Sequence, residues 1–130
     1  MSLFYSIKSD YDFIKTTQLA KQAIVQANFT VLAEFNLAEK LRTNNLPYDG
    51  ELHVLEVCNP TYAYSVLNAK PDSKYLLPCR ITITKGNDVT VGILNYETFS
   101  SLGYSLSESE LFVLNEIKQA LSIVKGKPIS

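Results

Sequence analysis

The chain predicts an α+β domain: an antiparallel sheet carrying helices on one face. Three observations lead there. Apolar residues recur with period two in some stretches and with period 3.6 in others, the mark of mixed strand and helix. Two alternating stretches, CRITITK (79–85) and VTVGILNY (89–96), flank Gly86-Asn87-Asp88, a hairpin turn that makes its neighbours antiparallel. Near the C-terminal end, Ser107 and Glu110 form a capping box ahead of a stripe of Leu111, Leu114, Ile117, Leu121 and Val124.

The remaining elements follow in chain order. Residues 3–8 (LFYSIK) alternate as a short strand. Ser9 and Asp10 offer N-cap oxygens to a helix running to Ala27, with Phe13, Ala20, Ile24 and Ala27 as its apolar stripe. Asn28 tolerates the left-handed conformation that closes a helix, and Phe29, Val31, Ala33 and Phe35 then alternate as a strand. Segment 36–51 is the least patterned. LAEKLR suits a helical turn or two, and NNLPYDG is turn chemistry. LHVLEVC (52–58) reads as a strand. Asn59-Pro60 starts a short helix through Asn68, an N-cap side chain followed by proline at the first helical position, and Pro71 stops it. Gly126 with Pro128 ends the last helix. The order is β-α-β-β-(short α)-β-β-α over a single domain, 1–130.

Composition narrows the function classes. With 46% hydrophobic and 19% charged residues the 130-residue chain suits a soluble domain with one core. Net charge is −1 and no dense basic run occurs, so nucleic acid and anionic membrane surfaces are not expected partners. No apolar run approaches the ~20 residues of a membrane span. The start shows no basic region followed by an apolar stretch, so no signal peptide is expected. Two cysteines do not make a disulfide scaffold for such a chain, and a reduced, cytoplasmic setting is the expectation.

Those cysteines sit in VCNPTYAY (57–64) and LLPCRITI (76–83), each beside a proline, at the two ends of one connecting segment. Cys58, Asn59 and Pro60, then Ala63 and Leu67, then Leu77, Pro78 and Cys79 resemble the signature of the family called domain of unknown function 302. The resemblance covers residues from about Phe4 to Val124. Where that family usually has Gly-Phe before its second strand, this chain has Asn28-Phe29. The resemblance implies a β-α-β(4)-α fold similar to the TATA-box-binding-protein-like group and brings no established reaction. A fold likeness does not transfer DNA binding.

The resemblance favours an antiparallel meander, in which the end of strand 52–58 lies beside the start of strand 79–85 and brings Cys58 and Cys79 together at one edge of the sheet. A parallel crossover through the short helix would instead put them at opposite sheet ends, roughly 20 Å apart. Two arrangements stay open. If Cys58 points inward with Cys79, Ile81 and Ile83, then Glu56 is buried too. If Leu55 and Val57 point inward, the thiols face opposite sides. The leading expectation is a non-enzymatic ligand-binding or interaction module, a homodimer, with its pocket at the Cys58-Asn59-Pro60 and Leu77-Pro78-Cys79 corner. There Asn59 caps the helix, Pro60 and Pro78 fix the geometry, Tyr62, Tyr64 and Tyr75 line the site or anchor the helix, and free helix N–H groups face a small anionic or thiol ligand. The alternative is a thiol redox or sulfur-handling protein with Cys58 attacking and Cys79 resolving, favoured by the helix N-terminus and opposed by Glu56. His53 lies on the other strand face from Cys58, so the two cannot share a zinc ion, and neither metal nor cofactor is expected. The face bearing Thr82, Thr84 and Thr90 is polar, uncharged and β-rich, open either to solvent or to a second copy.

Overall fold

The computed structural model describes residues 2–126. Five strands form one antiparallel sheet in the order β1-β5-β4-β3-β2: β1 (Phe4–Lys8), β2 (Thr30–Asn36), β3 (Glu51–Cys58), β4 (Cys79–Lys85) and β5 (Val89–Leu94). The helices are α1 (Phe13–Gln26), α2 (Leu37–Thr43), α3 (Pro60–Ala69) and α4 (Glu108–Leu121). The predicted order is present, including the short helix α3 between β3 and β4, and α2 forms where a helical turn or two was expected.

Alternation divides the sheet into two faces. Leu55 pairs with Ile81 and Val57 with Cys79 across β3 and β4, and Ile83 pairs with Val91 across β4 and β5. These residues form one buried cluster with Ala20 and Ile24 of α1, Val66 of α3, and Val113, Leu114, Ile117 and Leu121 of α4. Each fully buried aliphatic side chain contributes about 1.5–3 kcal/mol. The helix stripe was expected to include Leu111, which is exposed; Val113 takes its place in the core. Val54 and Ala38 are buried outside this cluster, where α2 packs on β3. Val54 points away from α1 and α4, so the helices are not confined to one face: α2 shields part of the other.

Several start and stop signals act at shifted positions. The cap of α1 is Asp12, whose Oδ1 accepts the Lys15 N–H at 2.7 Å, and not Ser9 or Asp10. Ser9 is buried instead, its hydroxyl 2.6 Å from that of Thr16. The Asp10 N–H donates to the Val124 carbonyl at 2.9 Å, which ties the end of β1 to the chain after α4. Asn28 has φ 70°, as the helix-closing role requires. The capping box of Ser107 and Glu110 is present, with the buried Glu110 carboxylate also accepting from Tyr104 at 2.7 Å. α4 ends at Leu121, and a 3-10 turn over Ser122–Lys125 leads to Gly126 at φ 71°. Pro128 lies outside the described residues. The strand expected through Tyr96 stops at Leu94, and Tyr96–Leu102 is a 3-10 helix.

Gly50 closes the approach to β3 with φ 101°, and a Cβ there would collide with the Lys85 carbonyl oxygen. Gly86, in the β4–β5 turn, has nothing within 4 Å of the same position. Gly50→Ala is therefore expected to lower unfolding free energy by at least about 2 kcal/mol in urea titrations, and Gly86→Ala by less than about 0.5 kcal/mol.

Candidate functional site

The cysteine corner forms where β3 and β4 end together. Val57 pairs with Cys79, so Cys58 lies one residue beyond. These strands are interior to the sheet, so the thiols meet at a strand end and not at a sheet edge. Leu55 and Val57 are both 0% exposed, which settles which side of β3 faces the helices. Glu56 alternates away from it, whereas Cys58, the last residue of β3, lines the same small helix-side cavity as Cys79, so the thiols do not face opposite sides. Cys58 is half-buried, Cys79 is buried, and both are free thiols.

Asn59 holds the corner together. Its Oδ1 accepts the Tyr62 N–H at 3.0 Å, and its Nδ2 donates to the Asn28 carbonyl at 2.7 Å. Its own carbonyl accepts the Ala63 N–H at 2.8 Å. Proline at position 60 has no N–H, so the helix start is nearly saturated by the chain itself. Little remains there for an anion. Tyr62 packs edge-on against Phe29 and Phe112, with ring centroids 5.8 and 5.2 Å away, an anchoring role for α3. The corner encloses a cavity of about 20 Å³ among residues that include Cys58, Asn59, Tyr62, Leu77 and Cys79. That is room for one water molecule at most.

Electrostatics there favour neutral thiols. Burial pushes the Cys58 thiol up. Burial, helped by the neighbouring Cys58, pushes Cys79 up to about 11, with the Tyr96 hydroxyl beside it in partial opposition. Tyr96 is itself pushed well up, first by burial and then by Cys79. His53 lies 3.7 Å from Glu34, on the helix face with Lys21, and among the described residues no group of three or more His, Cys, Asp and Glu side chains is placed to hold a metal ion.

A larger concavity of about 510 Å³ opens on the other face of the sheet. Its floor is a grid set by register: Thr82, Gly92 and Ser6 lie in one row across β4, β5 and β1, and Thr84 and Thr90 in the next. Thr84 and Thr90 hydroxyls are 2.5 Å apart. The chain returning from α3 makes a wall of Tyr75, Leu76, Leu77 and Pro78, and Tyr96 donates to the Leu76 carbonyl at 3.3 Å. The Leu77–Pro78 peptide is cis. Phe4 and Leu94 complete the apolar rim, and Arg80 is the lining's one charged residue. Leu77 and Pro78 thus belong to this groove; Cys58, Asn59, Pro60, Tyr62 and Cys79 do not line it. The sequence places Arg80 on the same strand face as Thr82 and Thr84, so that face is charged and not uncharged as expected; Gly92 was not singled out. A glycine inside a strand was the available signal.

Because the native state keeps the Cys79 proton to about 11 against an ordinary 9.0, stability from this group is complete below pH 9 and falls as pH rises through that interval. The loss is at most about 3 kcal/mol. Urea midpoints measured between pH 8 and 11 should decline, and Cys79→Ala should flatten part of the decline, Tyr96 supplying the rest. Iodoacetamide at pH 7 should label Cys58 slowly and Cys79 only on unfolding; fast labelling of Cys58 below pH 7 would revive a reactive thiol.

The sequence profile described as "Domain of unknown function DUF302" matches residues 5–124. A search of curated proteins gives no match. Among solved structures, the chain is similar to one described as the crystal structure of uncharacterized conserved protein DUF302 from Bacillus stearothermophilus. The TM-score is 0.87 and the identity 23%, over 96% of this chain and 100% of that one. That likeness establishes a shared fold. With the profile spanning nearly every described element and the Cys-Asn-Pro and Leu-Pro-Cys corner in place, the chain belongs to the DUF302 family.

Proposed function

We propose that this protein is a non-enzymatic small-molecule-binding domain and that the groove on the open sheet face is its binding site. The observation that carries the reading is the groove's size and lining: about 510 Å³, apolar walls, and a floor of hydroxyl-bearing side chains. Ligand sites are concavities of roughly 300–1,000 Å³ with mostly apolar linings and few polar groups. The corner with Cys58, Asn59, Pro60 and Cys79 acts in this reading as scaffold, since it aims the Leu77–Pro78 wall. A thiol redox role finds less support, because both thiols are shifted toward the neutral form.

The β-α-β(4)-α order is read as that of the TATA-box-binding-protein-like group. DNA binding does not come with it, because one arginine in the groove is far from the basic surface that phosphates require. Among the described residues no helix is long and apolar enough to cross a membrane. Free thiols accord with a cytoplasmic setting. A homodimer joined over the exposed rim, where Phe4 is 67% and Tyr75 79% exposed, is the competing use of this face.

Gly92 supplies the test. A Cβ added there has its nearest contacts at 3.5 and 3.7 Å, ordinary van der Waals distances, so the fold does not require glycine. A valine suits a strand and rises from the middle of the floor. The neutral dye N-phenyl-1-naphthylamine is expected to bind the native protein with enhanced fluorescence. Gly92→Val is expected to weaken that binding at least about tenfold with an unchanged urea midpoint. No binding to the native protein, or equal binding to the variant, would overturn the assignment.

A further inference from the structure

The groove's charge layout points to a class of ligand, an inference that rests on the reading of the groove as a binding site. Arg80 stands on β4, in line with Thr82 and Thr84, and is exposed. No acidic residue lines the groove. Of the acids near its borders, Asp88 pairs with Lys8 at 3.4 Å and Glu97 with Lys118 at 3.3 Å. Glu56 is the cross-strand neighbour of Arg80, yet the two form no ion pair within 4 Å. A guanidinium presents a planar fork of donors that matches a carboxylate with two parallel hydrogen bonds. Among the described residues it makes no ion pair, and it stands where an apolar trough begins.

We propose that the groove takes an amphipathic carboxylate: the acid group on Arg80, the apolar body along the threonine floor between Leu77–Pro78 and the Phe4–Leu94 rim. The floor suits such a body. Threonine offers a methyl beside each hydroxyl, and Thr84 and Thr90 bond to each other, so an alkyl or aromatic body covers them while that hydrogen bond stays satisfied. Gly92 leaves the centre flat. A cationic amphiphile finds no counter-charge in the lining, and a neutral one leaves the guanidinium without a partner.

Displacement of N-phenyl-1-naphthylamine by dodecanoate, dodecanol and dodecylammonium, each below its micelle-forming concentration, separates the cases. Dodecanoate is expected to displace at the lowest concentration. Arg80→Ala should weaken dodecanoate about tenfold and leave dodecanol unchanged, the loss expected for one charge-assisted contact. Arg80→Lys should recover part of the loss, keeping the charge but not the fork. Equal potency of the three compounds, or an Arg80→Ala variant that binds dodecanoate as before, would overturn the carboxylate assignment while the groove itself stood. Dye binding that fails altogether, or that ignores Gly92→Val, would overturn the groove and the assignment with it. A native dimer by sedimentation that dissociates in Gly92→Val, with no dodecanoate bound, would assign the face to a second copy and overturn the proposal.

Discussion

The two-faced character of β4 is the constraint on which the rest depends. Cys79, Ile81 and Ile83 are buried under the helices, and each is tied by register to a neighbour on β3 or β5 that is held there too. Side chains alternate strictly along a strand, so Arg80, Thr82 and Thr84 must face the other way. A slip of one residue would place a guanidinium and two hydroxyls against Leu55 and Val91, at a cost of several kcal/mol. The groove's chemistry is therefore a consequence of core packing. Sequence sets the register, register sets the open face, and the open face carries the site.

The cysteine corner belongs to the same construction. β3 must pass to β4 through α3 and the 3-10 turn over Pro71–Tyr75, and the chain has to come back at the level where it left. Asn59 fixes the departure by capping α3 and holding the Asn28 carbonyl. The return is fixed by Ser73, buried in the turn, and by Tyr96, whose hydroxyl holds the Leu76 carbonyl. Between them only a one-water cavity remains, and residues larger than cysteine at 58 and 79 would have to displace Phe29, Tyr62 or Val113. Small, polarisable and indifferent to a missing hydrogen-bond partner, cysteine fits such a place. The pairing of each cysteine with a proline is read as chain geometry: Pro60 opens a helix, and Pro78 delivers the wall of the groove.

Much of this was legible because local chemistry and tertiary demand agreed. The CRITITK alternation, the Asn59-Pro60 start, the Ser107–Glu110 box and the left-handed Asn28 each had one physical outcome. The start of α1 was not legible in the same way, since Ser9, Asp10 and Asp12 are all competent caps. The choice fell to burial: Ser9 is needed against Thr16, which pushes the cap onward to Asp12. Leu111 failed as a core residue because α4 meets α1 and α3 on the side presented by Val113 and Leu114. The groove was half legible. Its threonine floor is a strand pattern, readable from spacing. Its wall is a tertiary event, the fold-back of 75–78 across the sheet, and no local rule anticipates it.

Why this groove suits a ligand better than an arbitrary dent follows from what holds its parts. The wall is tied to the 3-10 helix after β5 through Tyr96 and Leu76, and the floor is pinned by ladder hydrogen bonds across three strands. Little of it must be ordered when something binds, so the entropy cost that usually offsets contact energy is small. Tyr75 is the exception: it is 79% exposed on the wall, and Lys74 sits 5.2 Å from its ring centroid. A trough with one exposed aromatic on its wall can admit an apolar body and fold that ring over it. Covering also withdraws water from around the Arg80 guanidinium, which strengthens its hold on an anion through the lower local dielectric. The polar and apolar halves of the site thus reinforce each other only when a single molecule carries both.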